Sequence, residues 1–435
     1  MSLVDLLLDL YSEGKLCIFC CARFSFRIGE VFYSQSEDKI IQQLFETTKR
    51  QVPQTKIDTR CFVCFNMSMY LQHAGIKEEV ENALKTCGHE YEGKYSISTS
   101  FPQAVFLREQ ALVRYITRKF PSKNYQPFRI KDTLKFILTA QLPEWKYEIE
   151  APLKLCVEFS HKQLRDEDSK LLESVKLRKR RKDEVLTAAT AQQALERMSP
   201  EEYEKHFPIP PSPMEGDNGN YRIFFERDYI YVAGRYRKYS RQLSQSQWII
   251  NGTLIHDHSI SGEIGEVMKK YFKCDKYFLM ASGREDVDVR MLGNGRPFVM
   301  ELHNPRKVAL SEEEYIQMQK EINQSPAVQV MHLQLVSNKD TEIIKNGERS
   351  KRKKYLAFIW AEQMKPLKMD NLVIHQKTPI RVLHRRSLLT RDRTIYTLKL
   401  NPIDDHFGLL ELETEAGTYI KEFVHGDLGR TNPNI

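Results

Sequence analysis

Hydrophobic and polar positions follow different periods in the two halves of the chain. In the first half the spacing is helical. Met1 to Leu10 sets leucines between acids every few positions and predicts a short amphipathic helix. Phe101 to Phe120 carries Val105, Leu112 and Ile116 at helical spacing with Phe106 and Val113 beside them, and Pro102 stands near the start, where a helix tolerates it. Arg108, Arg114, Arg118 and Lys119 are expected on its polar side. After Tyr221 the apolar residues fall into short alternating or β-branched runs: Tyr229 to Val232, Tyr277 to Met280, Val328 to Val336, Tyr355 to Trp360, Ile380 to Leu383, Ile395 to Leu400 and Leu409 to Glu413. These predict strands of one large sheet, mixed or antiparallel. Two helices interrupt them, Glu263 to Phe272 and Glu312 to Ile322, the second preceded by Ser311 with Glu314 completing a capping box. The architecture implied is α+β, without an internal repeat.

Between the halves the composition shifts. His161 to about Arg197 is strongly charged and poor in aromatics, which suits a solvated helix or a mobile arm, and its centre is Lys176-Leu-Arg-Lys-Arg-Arg-Lys182. Phe207 to Asn220 concentrates proline and glycine and should be extended and helix-free. The domain boundary is expected there. The reading is an N-terminal domain over 1–160, a charged and Pro/Gly-rich linker over 161–220, and a C-terminal domain over 221–435.

Composition adds limits. A chain of 435 residues exceeds what one core organises, so at least two domains are expected. With 41% hydrophobic and 29% charged residues, disorder is excluded as the dominant state. No run of eighteen apolar residues occurs, so no membrane span is expected, and the first ten residues are unlike a signal peptide's apolar stretch. The formal charge of +8 is a modest excess, to be judged by where it sits. Eight cysteines without a secretory signal suggest a reducing compartment, and nucleus and cytoplasm both fit. No Walker or dinucleotide-binding glycine pattern appears, so no organic cofactor is expected.

Cys17-Ile-Phe-Cys20 and Cys61-Phe-Val-Cys64 form two Cys-x-x-Cys knuckles, the arrangement that supplies four thiolates to a tetrahedral zinc ion. The alternative is four buried free thiols. Cys21 directly follows a ligand and is not expected to be one. Four thiolates leave no open coordination position, so one structural, non-catalytic Zn2+ is expected.

Ala233-Gly-Arg-Tyr-Arg-Lys-Tyr-Ser-Arg241 interleaves cations with tyrosines, with Arg235, Tyr236, Lys238 and Tyr239 able to pair phosphates and stack on bases or riboses. A solvated edge strand would look the same. The run from Lys176 to Lys182 fits phosphate contact, nuclear import or a solvated helix. With His384-Arg-Arg386 and Arg391-Asp-Arg393, several cationic clusters surround one predicted sheet, and an RNA-facing surface is the economical explanation. The strand Tyr277 to Ala281 should end at Ser282-Gly283 and present Arg284-Glu-Asp286-Val-Asp288-Val-Arg290 at the sheet's rim. A carboxylate between arginines after a strand is site-like, although a surface loop with local ion pairs would share that pattern.

Three segments after residue 280 resemble pseudouridine synthases. Arg284-Glu-Asp286 is similar to the element carrying the family's catalytic aspartate. Lys353-Lys-Tyr355-Leu-Ala-Phe-Ile-Trp360 is similar to the strand whose tyrosine faces the target base. Gly417-Thr-Tyr-Ile-Lys421-Glu-Phe-Val-His-Gly-Asp427-Leu-Gly429 resembles the Gly-Thr-Tyr-Ile-Arg element of the bacterial T-loop enzyme. Longer matches, over residues 233–241, 282–297, 378–386 and 417–431, resemble the pseudouridine synthase ten family of archaea and eukaryotes. The N-terminal half is similar more loosely: its paired knuckles and Ser98 to Arg118 look like that family's zinc-containing, THUMP-related RNA-binding domain.

The resemblance implies an isomerase acting on tRNA at the T arm, at uridines fifty-four and fifty-five, with a THUMP-related domain gripping the tRNA elsewhere. It also allows a non-catalytic role in maturing small RNA, with primary microRNA and its processing machinery as partners. The chemistry asks for one carboxylate acting on the sugar, as nucleophile or base, while uridine is detached at N1 and rejoined through C5. The resemblance gives that role to Asp286, with Lys421 as the cation keeping it ionised. Asp288 is the rival, since alternation on an extended segment would turn both to one side. Tyr355 would pack on the flipped uracil, and Arg284 would fill the vacated place or pair a phosphate. Arg381, His384 and Arg385 would approach the RNA backbone. One departure stands out: where the family has Pro-Gln-Thr-Pro-Trp, this chain has Ser244-Gln-Ser-Gln-Trp248, and losing both prolines makes that loop less rigid.

Overall fold

A computed structural model describes residues 2–25, 29–121, 125–176, 193, 195, 197–215, 219–247, 249–250, 253–254, 258–344, 352–384 and 386–435, with the backbone alone at 172–176, 249–250 and 253–254. The chain divides into two compact units, residues 1–228 and 229–435. The architecture is α+β, as the patterning predicts.

The first unit opens on α1 (Leu3–Ser12), capped by reciprocal hydrogen bonds between Ser2 and Asp5 and buried along Leu3, Leu7, Leu10 and Tyr11. Short helices follow: α2 (Ile18–Phe24), α3 (Glu30–Tyr33), α4 (Glu37–Thr47), α5 (Met67–Tyr70) and α6 (Ile76–Cys87). Strand β1 (Lys94–Ser100) leads through α7 (Ala104–Lys119) and α8 (Ile130–Gln141) to β2 (Lys146–Tyr147) and β3 (Leu153–Ser160). Both β2 and β3 lie parallel to β1, the arrangement that needs such a helical crossover. After α9 (Lys162–Lys176) and α10 (Pro200–Glu204), β4 (Asn220–Arg227) closes the order β2-β1-β3-β4 by pairing antiparallel with β3.

Three expectations change here. The segment read as a linker is partly core: Leu164 and Leu171 of α9 are fully buried, and Leu171 packs with Leu107, Leu195, Tyr203 and Phe207. The charged side chains misled because only one face of α9 is solvated. The run from Lys176 to Lys182 otherwise lies outside the described residues. Second, β4 belongs to the N-terminal unit, so the boundary falls after Asp228 and not near 220. Strand pairing is nonlocal, and hydropathy cannot say which sheet a strand joins. Third, of the four cations expected on the polar side of α7, Arg118 and Lys119 are exposed, but Arg108 and Arg114 turn to partners within the unit. Arg108 is buried, bonded to the Glu167 carboxylate through Nε at 2.7 Å and through Nη1 to the carbonyls of Phe62 and Ser212 at 2.8 and 2.9 Å. Arg114 donates to the Met198 carbonyl and stacks over Tyr203, and Arg118 pairs with Glu204.

The second unit comprises β5 (Ile230–Lys238), a short ladder of β6 (Ile249–Ile250) and β7 (Thr253–Leu254), α11 (Ile260–Phe272), β8 (Lys276–Ala281), β9 (Met291–His303), α12 (Glu312–Ile322) and β10 (Val328–Val336). There follow β11 (Lys353–Trp360), β12 (Leu367–Lys377), β13 (Thr390–Pro402), β14 (Phe407–Thr414), α13 (Ile420–His425) and β15 (Thr431–Asn432). The predicted capping box of α12 is present, Ser311 Oγ accepting from Glu314 N while Glu314 accepts from Ser311 N.

The single large sheet is corrected to two antiparallel sheets, β10-β5-β9-β8 and β11-β14-β13-β12-β15, each with its own apolar core. Ile380 to Leu383, expected as a strand, is a 3-10 turn over Ile380–Val382. Its backbone partners are a turn's: Val382 N donates to Pro379 O, and Ile380 N to the Asp427 carboxylate at 3.2 Å.

Candidate active site

The loop 282–290 joins β8 to β9 at the end of their ladder, where Ser282 N closes the pair onto Pro297 O. Gly283 turns it with φ of +92°, and a Cβ there would stand 2.6 Å from Arg296 Nη1, so glycine is required on both counts. Val289 N bonds Asp286 O at 3.1 Å, so Asp286 and Asp288 lie on a tight turn. The extended alternation expected for them is absent.

Two cations meet the Asp286 carboxylate. Arg381 Nη1 is 3.0 Å from Oδ2 and Lys421 Nζ is 3.5 Å from the same oxygen. Lys421 is closer to Asp288, donating to both of its oxygens at 2.7 Å. That ammonium holds the Asp288 carboxyl below the usual carboxylate range, against partial burial. Arg381, expected on the RNA backbone, is therefore part of the carboxylate's own surroundings. Its Nε donates to the buried Glu422 carboxylate at 2.6 Å. Burial by itself would lower the Arg381 pKa, and Glu422 and Asp286 outweigh it and hold it above the usual range.

Beneath the loop lies a layer of buried charge. Lys238 is fully buried and donates to the carbonyls of Asp286 and Val287 at 2.9 and 2.8 Å. Burial pulls its pKa down, opposed by the carboxylates of Glu285, Asp288 and Asp286. Glu285 is buried and accepts from Arg296 Nε at 2.9 Å and from the fully buried Tyr236 hydroxyl, while Arg296 Nη1 donates to Ser282 O at 2.6 Å. Burial, reinforced by Glu285, pushes the Tyr236 hydroxyl pKa up. Tyr236 and Lys238 were expected to face RNA. They instead sit on the inward face of β5, two residues apart, as strand alternation requires.

Arg235 and Arg237 take the other face of β5. Arg235 donates to the carbonyls of Asn294 and Gly295, and Arg237 to that of Gly293. The Tyr239 hydroxyl donates to Gln329 Oε1. Arg284 is exposed and makes no ion pair among the described residues. His384 is exposed too, and Arg385 and Trp248 lie outside the described residues. In the altered loop, Gln245 donates to the Tyr236 hydroxyl and to Gly283 O at 2.9 and 3.0 Å, so its amide braces the loop 282–290 without the prolines.

Tyr355 sits on β11 on the face packed against the second sheet's core. Burial pushes its hydroxyl pKa up, Arg296 opposes this and Asp286 reinforces it, so both charges lie within electrostatic range of the ring's polar end. Lys421 and Glu422 lie in the first turn of α13 after the N-cap Tyr419, whose backbone is clamped by Gln376: Tyr419 N donates to Oε1 and Nε2 donates to Tyr419 O, both at 2.9 Å. Sequence reasoning missed Glu285, Arg296, Gln376 and Glu422 as site components. Glu285, Arg296 and Glu422 are charged residues inside the family-like segments 282–297 and 417–431, a signal that does not show their burial, whereas Gln376 lies outside those segments and carried no signal.

In the first unit Cys17, Cys20, Cys61 and Cys64 are fully buried, and their sulfurs lie within 4.8 Å of one another. The second knuckle is shaped by left-handed Phe65 and Asn66, with Asn66 Oδ1 accepting from Cys61 N. Cys21 Sγ turns away to the Leu7 carbonyl at 3.2 Å. Four converging thiols, with Cys64 N donating to Cys61 Sγ at 3.5 Å and Arg23 Nη1 to Cys20 Sγ at 3.7 Å, fit a structural metal ion, which these four residues would hold.

Comparison with known proteins bears on both units. The family model described as "Pus10, C-terminal" matches residues 231–435, and "Eukaryotic Pus10, N-terminal" matches 61–218. The chain is 36% identical to the human protein named tRNA pseudouridine synthase Pus10 over 399 residues, covering 86% of this chain and 74% of that one. The chain belongs to the Pus10 family. The Xenopus laevis Pus10 is 44% identical over 261 residues, and the Pyrococcus furiosus Pus10 is 41% identical over 214. Those two matches span about half the length of the relatives, 51% and 52%. Asp286, Tyr355, Arg381 and Lys421 all lie within the C-terminal Pus10 match, and Cys61 and Cys64 within the N-terminal one, which begins after Cys17 and Cys20.

Proposed function

We propose that the chain is a tRNA pseudouridine synthase that isomerises a T-loop uridine, fifty-four or fifty-five or both, with Asp286 as its catalytic carboxylate. The observation that carries this is the pairing of a half-exposed Asp286 with Arg381 and Lys421 on a loop braced from beneath by Lys238. Membership of a family whose relatives bear that name supports it. Asp286 attacks C1′ or removes a sugar proton as the N1–C1′ bond breaks. The uracil turns and C5 bonds to C1′ as Asp286 leaves C1′, or as Asp286 returns the proton to the sugar; C5 then gives up its own proton, and N1 ends protonated. Tyr355 lies against the detached base and limits its escape. The test is pseudouridine mapping in unmodified tRNA transcript treated with wild type and with Asp286→Ala. Modification by wild type alone supports the reading, modification by both removes Asp286 from its role, and modification by neither refutes the activity.

The metal is zinc, held by Cys17, Cys20, Cys61 and Cys64, and it keeps the N-terminal unit in shape to grip tRNA through phosphates. Elemental analysis checks this: one zinc per chain in wild type, and loss of it in Cys61→Ser.

A further inference from the structure

We propose that Glu422 is a positioning residue that orients Asp286 through Arg381, an inference that rests on the synthase reading above. Lys421 is shared between two carboxylates and sits nearer Asp288, leaving Arg381 the shorter contact to Asp286, 3.0 Å against 3.5 Å. A guanidinium is a rigid planar fork, so fixing one nitrogen fixes the others. Glu422 holds Nε at 2.6 Å, and that contact determines where Nη1 meets Asp286 Oδ2. The Tyr419 ring, 5.8 Å from the guanidinium carbon, adds a second support from the same segment. Without Glu422, a guanidinium with 38% of its side chain exposed would be free to turn to water.

Glu422 is a poor choice for a merely structural position. It is 1% exposed, and its second oxygen, Oε2, has no hydrogen-bond partner among the described residues. Burying a carboxylate with half its acceptor capacity unused is costly. The next residue, Phe423, shows that this helix fills its core with apolar side chains where only packing is needed. The start of α13 therefore supplies both controls over Asp286: Lys421 directly and Glu422 through the arginine.

The test is a double-mutant cycle on single-turnover rate with tRNA transcript, alongside tRNA affinity. Glu422→Ala is expected to slow the chemical step about 100-fold, as misplacement by roughly 1 Å does, with tRNA affinity unchanged. Glu422→Gln still accepts from Nε and should recover about tenfold of that loss. The double variant Glu422→Ala/Arg381→Ala should be no slower than Arg381→Ala, because both changes remove one interaction. Losses that multiply, or a loss confined to tRNA affinity, overturn the proposal. A readout independent of turnover is the Nε–H resonance of Arg381 in 15N-arginine-labelled protein, assigned by its absence from Arg381→Lys. It should remain visible in wild type and in Asp286→Asn, and vanish through solvent exchange in Glu422→Ala and not in Glu422→Gln. A resonance indifferent to Glu422 refutes the positioning role, whereas a wild type that makes no pseudouridine refutes the synthase reading instead.

Discussion

The ammonium of Lys238 and the backbone carbonyl of Asp286 stand 2.9 Å apart, closed to water, so the loop bearing the candidate catalytic carboxylate is held from beneath by a buried cation. Replacing Lys238 by Met strips a donor from the Asp286 and Val287 carbonyls, and each buried group left unsatisfied costs about 1–3 kcal/mol. Denaturant unfolding should report a loss of that order. The salt dependence of tRNA binding should keep its slope, because a buried ammonium neutralises no phosphate. A shallower slope would return Lys238 to the RNA surface.

Asp286→Asn keeps the shape of the side chain and removes the group that acts on the sugar. Its single-turnover rate should fall by about 10³-fold or more. Asp288→Asn leaves Asp286 in place and releases Lys421 toward it, so its rate should stay within about tenfold of wild type, exposed ion pairs being weak. The reverse ranking would make Asp288 the catalytic group.

The Lys421–Asp288 pair also has a pH signature. The folded-state pKa of Asp288 is depressed, so between it and the unfolded value near ~3.9 the unfolded chain binds more protons, and stability rises with pH. The contribution is whole above about pH 4 and fades as pH falls through the folded value. Because 62% of the Asp288 side chain is exposed, its size is only about 0–1 kcal/mol. The stability difference between wild type and Asp288→Asn should be flat from neutrality to mildly acid pH and shrink below about pH 4.

What could be read from sequence follows from which interactions are local. The capping box at Ser311 and Glu314 involves neighbours three residues apart and is found where expected. The Cys-x-x-Cys knuckles are likewise local, and their meeting needed only that one domain contain both. Asp286 was marked by its motif. Arg381 and Glu422 were not assigned to it, because they reach it across long stretches of chain and no period in the sequence encodes that approach. Lys238 shows the opposite error: a basic, aromatic-rich run looks like a surface, and the inward half of a strand's alternation took two of its members into the core.

The four-cysteine cluster has a consequence for stability. Its thiols lie in the main core of the first unit with Phe19, Phe62 and Phe65, so removing a metal held there would leave buried sulfurs without a ligand. Metal binding and folding are coupled in such sites, with apparent binding energies of about 10–16 kcal/mol in zinc-finger peptides. A strong chelator should lower the thermal midpoint of the fragment 1–228, and added zinc should restore it.

The last strand of that unit, β4, is also made late. While the ribosome synthesises the stretch between Ser160 and Asn220, the outer edge of β3 has no partner, and at ~5–20 residues per second the gap lasts several seconds. The nascent N-terminal unit therefore waits with an open edge, the feature that recruits foreign strands. Stalling translation within that stretch should draw chaperones to β3, and stalling well past Arg227 should not.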